Sequence, residues 1–316
     1  MILVYIEHKA GQVKKVSLEA LNLARQIASS EGTSCKAFVV GNDSLSVELG
    51  NYGVDEILKL PSADHLSQDQ MVEVCSQIMA SNNVKYFILG LSTLARSIAG
   101  QISIKTQSAM ISGITGFRYD AGKGIYRKSV FSGKAFADIS STTKSSVLTV
   151  TANCFSAEPV GSQKANETIV ELSIPAAKIK IIETKLVQGK TPLTEAAVVV
   201  SAGRGMKDPS NWGMIEELAD LLGATTACSR PVADVGWRPH HEHVGQTGIA
   251  IRPNVYIAIG ISGAIQHLAG VNNSRKIIVI NKDPEAPFFK AADYGVCGDL
   301  FEIIPKLNEA LKRLKS

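Results

Sequence analysis

Short apolar runs alternate with segments of helical period along the first hundred residues. The apolar runs lie at 2–7, 36–41, 54–61 and 84–92. Segments with apolar residues three or four positions apart lie between and after them, at 18–30, 70–81 and 93–102. Strands that are buried on both faces of a parallel sheet are typically continuous apolar runs. The alternation therefore predicts an α/β domain whose parallel sheet is covered by helices.

The pattern changes from about Ile111. Strand-like runs, separated by Gly, Ser and Asn, lie at 112–117, 126–140, 145–152, 168–175 and 178–186. They predict β-strands added to the first domain. The polar segment 187–196 is interpreted as a linker. We therefore predict an N-terminal α/β domain over 1–187 and a second domain over 188–316.

The second domain returns to strict alternation. Strand-like runs lie at 196–203, 224–231, 255–262, 276–281 and 292–300, and helical patterns lie at 212–223, 264–270 and 301–314. This order predicts a doubly wound parallel sheet.

Small and polar residues collect where these strands end. They are Arg204, Ser229, Arg230, Ser262, Gly263, Asn281 and Asp299. Ligands of open parallel sheets bind outside the carboxyl ends of the strands. Ser262 is expected to cap the next helix, and its small neighbours would let the backbone approach a pyrophosphate. Gln266 and His267 follow in the first turns, so we predict a phosphate-bearing ligand at this edge.

Other kinds of site fit less well. A nicotinamide fingerprint is incomplete, because Asp208 stands where GRGMKD needs its third glycine. The histidines of HHEH (240–243), even with Cys228, match no zinc spacing. The segment 90–100 offers only Ser92, Thr93 and Arg96 as polar groups, so it is interpreted as scaffold. No GxSxG nucleophile elbow occurs.

Charge and composition exclude several classes of protein. The chain has 33 basic and 29 acidic residues, a formal charge of +4, and no basic block that would follow a nucleic acid backbone. The 5 scattered cysteines indicate reduced thiols. No apolar run reaches the roughly 20 residues of a membrane span, and the N-terminus lacks a signal-peptide pattern. A soluble, cytoplasmic protein that is not embedded in a membrane is expected.

Several segments of the second domain carry a family resemblance. They are SAGRGM, CSRPVADVGW, VGQTG, YIAIGISGAIQHLAG, INKDPEAPFF and ADYGVCGDL, in that order. They closely resemble the FAD-binding domain of the alpha subunits of electron transfer flavoproteins. The resemblance is most specific over about 200–300. In the first domain it is looser and depends on ILVYIEH and FILGLSTLARSIAG.

The resemblance implies one noncovalently bound FAD and a set of contacts to it. The implied contact residues are Arg204, Ser229, Arg230, Val244, Gly245, Gln246, Thr247, Ser262, Gly263, Ala264, Ile265, Gln266, His267, Asn281, Asp299 and Leu300. Arg230 and His267 would stabilise negative charge that develops on the flavin, and Thr247 would donate to N5. Ser262 suits the pyrophosphate, while Asn281 and Asp299 suit the adenosine.

The resemblance also implies partners, and with them a role for the first domain, 1–187, as scaffold and subunit-contact domain. It indicates a heterodimer with an electron transfer flavoprotein beta subunit, electron donors such as the acyl-CoA dehydrogenases of fatty acid β-oxidation, and a quinone oxidoreductase as acceptor. The chain is thus expected to be an electron carrier, with no catalytic residues of its own. A flavin-bifurcating complex and an enzyme that binds NAD or thiamine diphosphate on this fold are the alternatives. The histidine cluster 240–243 and Ile249 depart from the family pattern.

Overall fold

The computed structural model describes residues 1–62, 66–179, 182–183 and 191–315. They form two compact units, and residues 131–134 group with the second. The predicted boundary at 187/188 and most of the predicted strand 178–186 lie outside the described residues, so both remain predictions.

The first unit contains a mixed sheet and three helices within its described residues. Its strands are β1 (Ile2–Tyr5), β2 (His8–Lys9), β3 (Gln12–Val13), β4 (Cys35–Val40), β5 (Glu56–Leu60), β6 (Tyr86–Gly90), β7 (Ala109–Asp120), β8 (Lys123–Val130), β9 (Ala135–Ile139), β10 (Ser146–Val150) and β11 (Asn166–Ile169). Its helices are α1 (Lys15–Glu31), α2 (Gln68–Ser81) and α3 (Thr93–Lys105).

Nine of these strands form one sheet in the order β11-β5-β4-β1-β6-β10-β7-β8-β9. The strands from β11 to β7 are parallel, and β8 and β9 continue the sheet antiparallel. The predicted α/β domain with added strands is therefore confirmed. The predicted strand 168–175 is wrong in extent, because only its first two residues belong to β11, whose side chains are exposed at the sheet edge.

The helices of the first unit pack their apolar faces on both sides of the sheet. Leu21, Leu23 and Ile27 of α1 are buried on one side, and Ile98 and Ile102 of α3 are buried on the other. The buried apolar side chains thus form one cluster on each side of the sheet. Together the two clusters contain most of the buried apolar side chains of the unit, and this burial stabilises the parallel sheet.

The segment 90–100 belongs to this scaffold. The Ser92 hydroxyl caps α3 by accepting the backbone N–H of Ala95 at 3.1 Å, and it donates to the carboxylate of Glu7. Ser92 is therefore used by the fold itself, which supports the scaffold interpretation.

The second unit is built on a five-stranded parallel sheet. Its strands are β12 (Val198–Ala202), β13 (Thr225–Cys228), β14 (Val255–Ile259), β15 (Lys276–Asn281) and β16 (Tyr294–Cys297). Its helices are α4 (Gly213–Leu222), α5 (Arg230–Asp234), α6 (Ile265–Val271) and α7 (Leu300–Lys315).

The strand order β13-β12-β14-β15-β16 confirms the predicted doubly wound sheet. In this order the chain reverses direction across the sheet between β12 and β14, and such a switch point opens a crevice at the carboxyl ends of the strands. The side chains on the two faces of the sheet form separate buried clusters. No helix among the described residues has the length and apolar character needed to cross a membrane.

Candidate functional site

A cavity of about 460 Å³ lies in the second unit, at the carboxyl edge of its sheet. It opens at the switch point, between the segments that follow β12 and β14. The Gly203 N–H donates to the carbonyl of Ile259 at 2.9 Å, and the Gly205 N–H donates to that of Gly260 at 3.1 Å. A Cβ at Gly205 would lie 2.7 Å from the Gly260 Cα. Glycines thus let the two turns meet at the floor of the cavity.

Most of the predicted contact residues line this cavity. They are Arg204, Ser229, Arg230, Val244, Gly245, Gln246, Thr247, Ser262, Ala264, Gln266 and His267. These residues come from four chain segments, and the tertiary structure places them around one space. Pro231, His243, Gly260 and Ile261 also line it and were not predicted. The sequence could have indicated these four residues, because each lies within two positions of a predicted contact residue.

The VGQTG segment forms one wall because it is bound to both neighbouring elements. The Val244 N–H donates to the carbonyl of Cys228 at the end of β13, at 3.1 Å, and the Gln246 N–H donates to the carbonyl of Gln266 in α6, at 2.7 Å. A Cβ at Gly270 would lie 2.5 Å from the Cα of Gly245. The glycines of the loop and the helix are therefore required for their close contact.

The loop before VGQTG is held by an arginine. Arg238 donates two hydrogen bonds to the buried carboxylate of Glu242, at 2.9 and 2.7 Å, and one to Glu216 of α4 at 2.8 Å. Its guanidinium lies 5.5 Å from the ring centre of Trp212. Hydrogen bonds to Glu242 first, and then to Glu216, raise the pKa of the Arg238 guanidinium, so it keeps its positive charge. The segment 238–242 is thus tied to α4 immediately before the cavity wall begins.

The expectation that Ser262 caps the following helix is wrong. Helix α6 begins at Ile265, and Ala264 is its N-cap residue. Gly263, with a φ of 84°, lies between Ser262 and the N-cap, and a Cβ there would lie 2.5 Å from the backbone nitrogen of Phe288. The turn after β14 therefore runs against the segment that follows β15 before the helix starts. Ser262 is left exposed at the cavity.

The charged side chains that line the cavity are cationic. Arg204 makes no ion pair with any other described residue, and Arg230 forms a solvent-exposed pair with Asp234 at 3.3 Å. None of the described lining residues is acidic. This charge distribution favours an anionic ligand, and the hydroxyls of Ser229, Thr247 and Ser262 add hydrogen-bonding groups.

His267 lies at the back of the cavity and is buried. Its Nε2 atom is hydrogen-bonded to the hydroxyl of Tyr256 at 2.7 Å, and the imidazole and the Phe288 ring pack edge to face, with ring centres 5.7 Å apart. Burial lowers the pKa of His267 to about 4, with a smaller effect from His243. The predicted stabilisation of negative charge by His267 would therefore come from a neutral, hydrogen-bonding imidazole at neutral pH.

The other predicted residues lie outside the cavity lining, and several have structural contacts. Asn281 donates from Nδ2 to the carbonyl of Ile261 at 2.9 Å, so it supports the turn after β14. The Asp299 carboxylate accepts the N–H of Phe301 at 2.9 Å, at the start of α7. Leu300 packs in the hydrophobic core of the unit, and Gly263 packs against Phe288. The side chain of Ile265 is exposed. Direct contacts of these residues with a cofactor remain predictions.

No group of three or more His, Cys, Asp and Glu side chains that could hold a metal occurs in the described part of the chain. The three histidines of HHEH differ in their exposure to solvent. His240 and His241 are exposed, whereas His243 is buried and lines the cavity.

Known proteins share both units of this chain. Residues 2–177 match the electron transfer flavoprotein domain family, and residues 192–272 match the electron transfer flavoprotein FAD-binding domain family. The chain belongs to the electron transfer flavoprotein alpha subunits. The curated relatives include the electron transfer flavoprotein subunits alpha of Bacillus subtilis (33% identical over 99% of this chain and 98% of that protein) and Mycobacterium leprae (35%, over 99% and 98%). The mitochondrial subunit alpha of Dictyostelium discoideum is 34% identical over 99% of this chain and 92% of that protein.

Family membership confirms the predicted cofactor, FAD, and the matched FAD-binding region, 192–272, contains the cavity. The cavity residues fit this cofactor. Two arginines and no described carboxylate suit its diphosphate, and Ile261, Val244 and Ala264 provide apolar surface for a planar ring. FAD supplies one- and two-electron redox chemistry when it is bound. The protein residues supply charge, hydrogen bonds and exclusion of water.

Proposed function

We propose that this chain carries electrons as the alpha subunit of a heterodimer with an electron transfer flavoprotein beta subunit. It holds one FAD noncovalently in the cavity of the second unit. Electrons enter from flavin dehydrogenases, such as acyl-CoA dehydrogenases, and leave to an acceptor such as a quinone oxidoreductase. The observation that supports this proposal best is the convergence of four chain segments on one cationic cavity at the switch point of the sheet.

The chemistry of the cavity residues suggests which part of FAD each of them faces. Arg230, Thr247 and His267 face the flavin ring, where a cation and neutral donors stabilise added electron density. Arg204, Ser262 and Gln266 face the diphosphate and the chain that links it to the ring. Asn281 acts on the same site indirectly, by holding the Ile261 carbonyl.

The test is FAD binding and reduction by the purified heterodimer. We expect a yellow complex that contains FAD after dialysis, accepts electrons from a flavin dehydrogenase, and passes them to a quinone oxidoreductase. A heterodimer that binds no FAD would contradict the proposed site. A complex that binds FAD but exchanges electrons with neither partner would contradict the proposed carrier role.

Counting FAD distinguishes the simple carrier from the bifurcating alternative. One FAD per heterodimer supports the proposal, and two would indicate a bifurcating complex with a second flavin in the beta subunit. Binding of NAD or thiamine diphosphate in place of FAD would favour an enzyme on this fold.

A further inference from the structure

His243 and His267 line the same cavity but come from different chain segments. Both side chains are buried, with 7% of each residue exposed. The backbone of His243 is held by β13 and by its own loop, since His243 pairs with Cys228 and its carbonyl accepts the N–H of Ile249 at 2.9 Å. No hydrogen bond or ion pair joins its ring nitrogens to another residue in the described ranges. A buried imidazole without a protein partner is available to a ligand.

The two glycines around the ring indicate which nitrogen faces the cavity. A Cβ at Gly248 would lie 2.9 Å from Nδ1 of His243, and a Cβ at Gly245 would lie 3.5 Å from Nε2. Gly245 lines the cavity and Gly248 does not. The Nε2 atom is therefore the one on the cavity side, and the absence of side chains at both glycines leaves room for the ring.

Titratable groups on neighbouring elements act on the pKa of His243. Burial lowers the pKa of His243; Asp234 opposes this, while Arg230 and His240 add to the lowering. In α6, burial lowers the pKa of His267 to about 4, and the charge of His243 adds to the lowering. Both rings are therefore neutral at neutral pH, and His243 is the one that can gain a proton more easily.

We propose that His243 contacts the flavin and takes up a proton at Nε2 when an electron enters the cofactor. This inference depends on the proposed position of the ring in the cavity. The electron comes from the dehydrogenase, the proton comes from solvent, and His243 becomes an imidazolium without any other bond changing. Negative charge placed beside an imidazole raises its pKa, so reduction and protonation are coupled. His267 remains a neutral hydrogen-bonding partner.

The test compares His243→Gln with His241→Gln in the FAD-loaded heterodimer. Glutamine keeps a hydrogen-bonding group and removes the titration, and His241 is an exposed histidine of the same loop that does not line the cavity. The one-electron midpoint potential is measured from about one unit below to one unit above the ordinary histidine pKa of about 6.5. Full coupling changes the reduction equilibrium tenfold per pH unit, or about 59 mV.

We expect the parent and His241→Gln to share one slope of potential against pH, and His243→Gln to lose at least half of it. Equal slopes in all three proteins would overturn the proposal. Because FAD content is measured on the same samples, loss of FAD from the parent would count instead against the proposed site.

A second measurement does not require electron transfer. Histidine ring signals of the isotope-labelled heterodimer are followed by NMR against pH, before and after chemical reduction, and His243 is assigned by the signal missing from His243→Gln. We expect the pKa of His243 to rise on reduction, whereas the ring signals of the exposed control His241 should be the same before and after reduction. An unchanged pKa of His243 would overturn the proposal even if His243→Gln failed to retain FAD.

Discussion

At the scale of single residues, the turn after β14 is shaped by its glycine. Gly263 combines a φ of 84° with a Cβ direction that is blocked by the backbone of Phe288. Its small size is therefore required by packing between two strand ends, whatever ligand lies in the cavity. Ser262, in contrast, has no capping role and is exposed.

Gly263→Val should therefore be far more harmful than Ser262→Ala. A branched residue at this φ costs about 1–3 kcal/mol in backbone strain, and the clash with Phe288 adds about 1–3 kcal/mol. We expect Gly263→Val to lose FAD on dialysis and to lower the melting temperature even without FAD. Ser262→Ala should keep its stability and lose only part of its FAD affinity. An unchanged melting temperature for Gly263→Val would contradict the packing argument.

The buried His267 makes stability depend on pH. Its folded-state pKa of about 4 lies below the ordinary value, so the unfolded chain binds the proton more readily. Above about pH 6.5 the neutral His267 makes its full contribution to the free energy of unfolding. This contribution is lost as the pH falls towards 4, and the loss is roughly 3 kcal/mol at most. We expect His267→Gln to narrow the difference in melting temperature between neutral and mildly acidic solution. If the melting temperatures of the parent and the variant fell equally between neutral and mildly acidic solution, the buried imidazole would not be the cause of the pH dependence.

Arg230 tests the electrostatics of the proposed ring position. Its guanidinium is exposed and shared with Asp234, so its effect is reduced by solvent to about 1 kcal/mol or less, which is tens of millivolts for one electron. Arg230→Ala should lower the flavin potential, and Asp234→Asn, which frees the guanidinium, should raise it. Potentials that move in the same direction in both variants would refute this role.

At the scale of elements, the cavity depends on a loop that is fastened to α4. Arg238 bonds the buried Glu242 and reaches Glu216, so the segment leading into His243 and VGQTG has a defined position. The cavity wall is thus stabilised from a helix that does not itself line the cavity.

Arg238→Ala should loosen this wall. Removing one partner of a buried ion pair leaves an uncompensated charge and costs about 3–5 kcal/mol. We expect a clear fall in melting temperature and faster release of FAD. Arg313→Ala, in an exposed pair with Glu309, is the matched control and should change stability by less than about 1 kcal/mol. Equal effects of the two substitutions would show that the Arg238 pairs do not stabilise the loop.

At the scale of the whole molecule, the two units have separate cores and separate sheets. The matched family domains follow the same division, with an electron transfer flavoprotein domain over 2–177 and a FAD-binding domain that begins at 192. The first unit presents strands at both edges of its sheet, and Phe136 on β9 and Ile169 on β11 are exposed apolar side chains. Such edges favour association.

The chain alone should therefore be poorly soluble or unstable. We expect co-production with the beta subunit to give a soluble heterodimer, and the lone chain to aggregate under the same conditions. Sedimentation velocity measures this difference. A monodisperse, FAD-saturated monomer would contradict the proposed heterodimer.

The sequence by itself determined the architecture and most of the site. Continuous apolar runs specify strands that are buried on both faces, and their alternation with helices leaves few alternatives to a doubly wound sheet. The ends of those strands meet at one edge, so Arg204, Ser229 and Ser262 could be grouped from the sequence alone. Gln266 and His267 joined the group because they follow in the first turns of the next helix, whereas VGQTG, Ala264 and Ile265 joined it through family resemblance.

Only the tertiary structure decided how those residues are used. Local pattern placed this helix at 264–270, one residue from its observed start at Ile265, but it could not show that Ser262 does not cap it. The turn before the helix is set by contact of Gly263 with Phe288, twenty-five positions away. Nor could local pattern distinguish His243 from His240 and His241, since burial depends on the pairing of the loop with β13. The pKa of His267 likewise depends on burial beside Tyr256 and Phe288. These properties arise from contacts between distant segments, which a one-dimensional pattern does not contain.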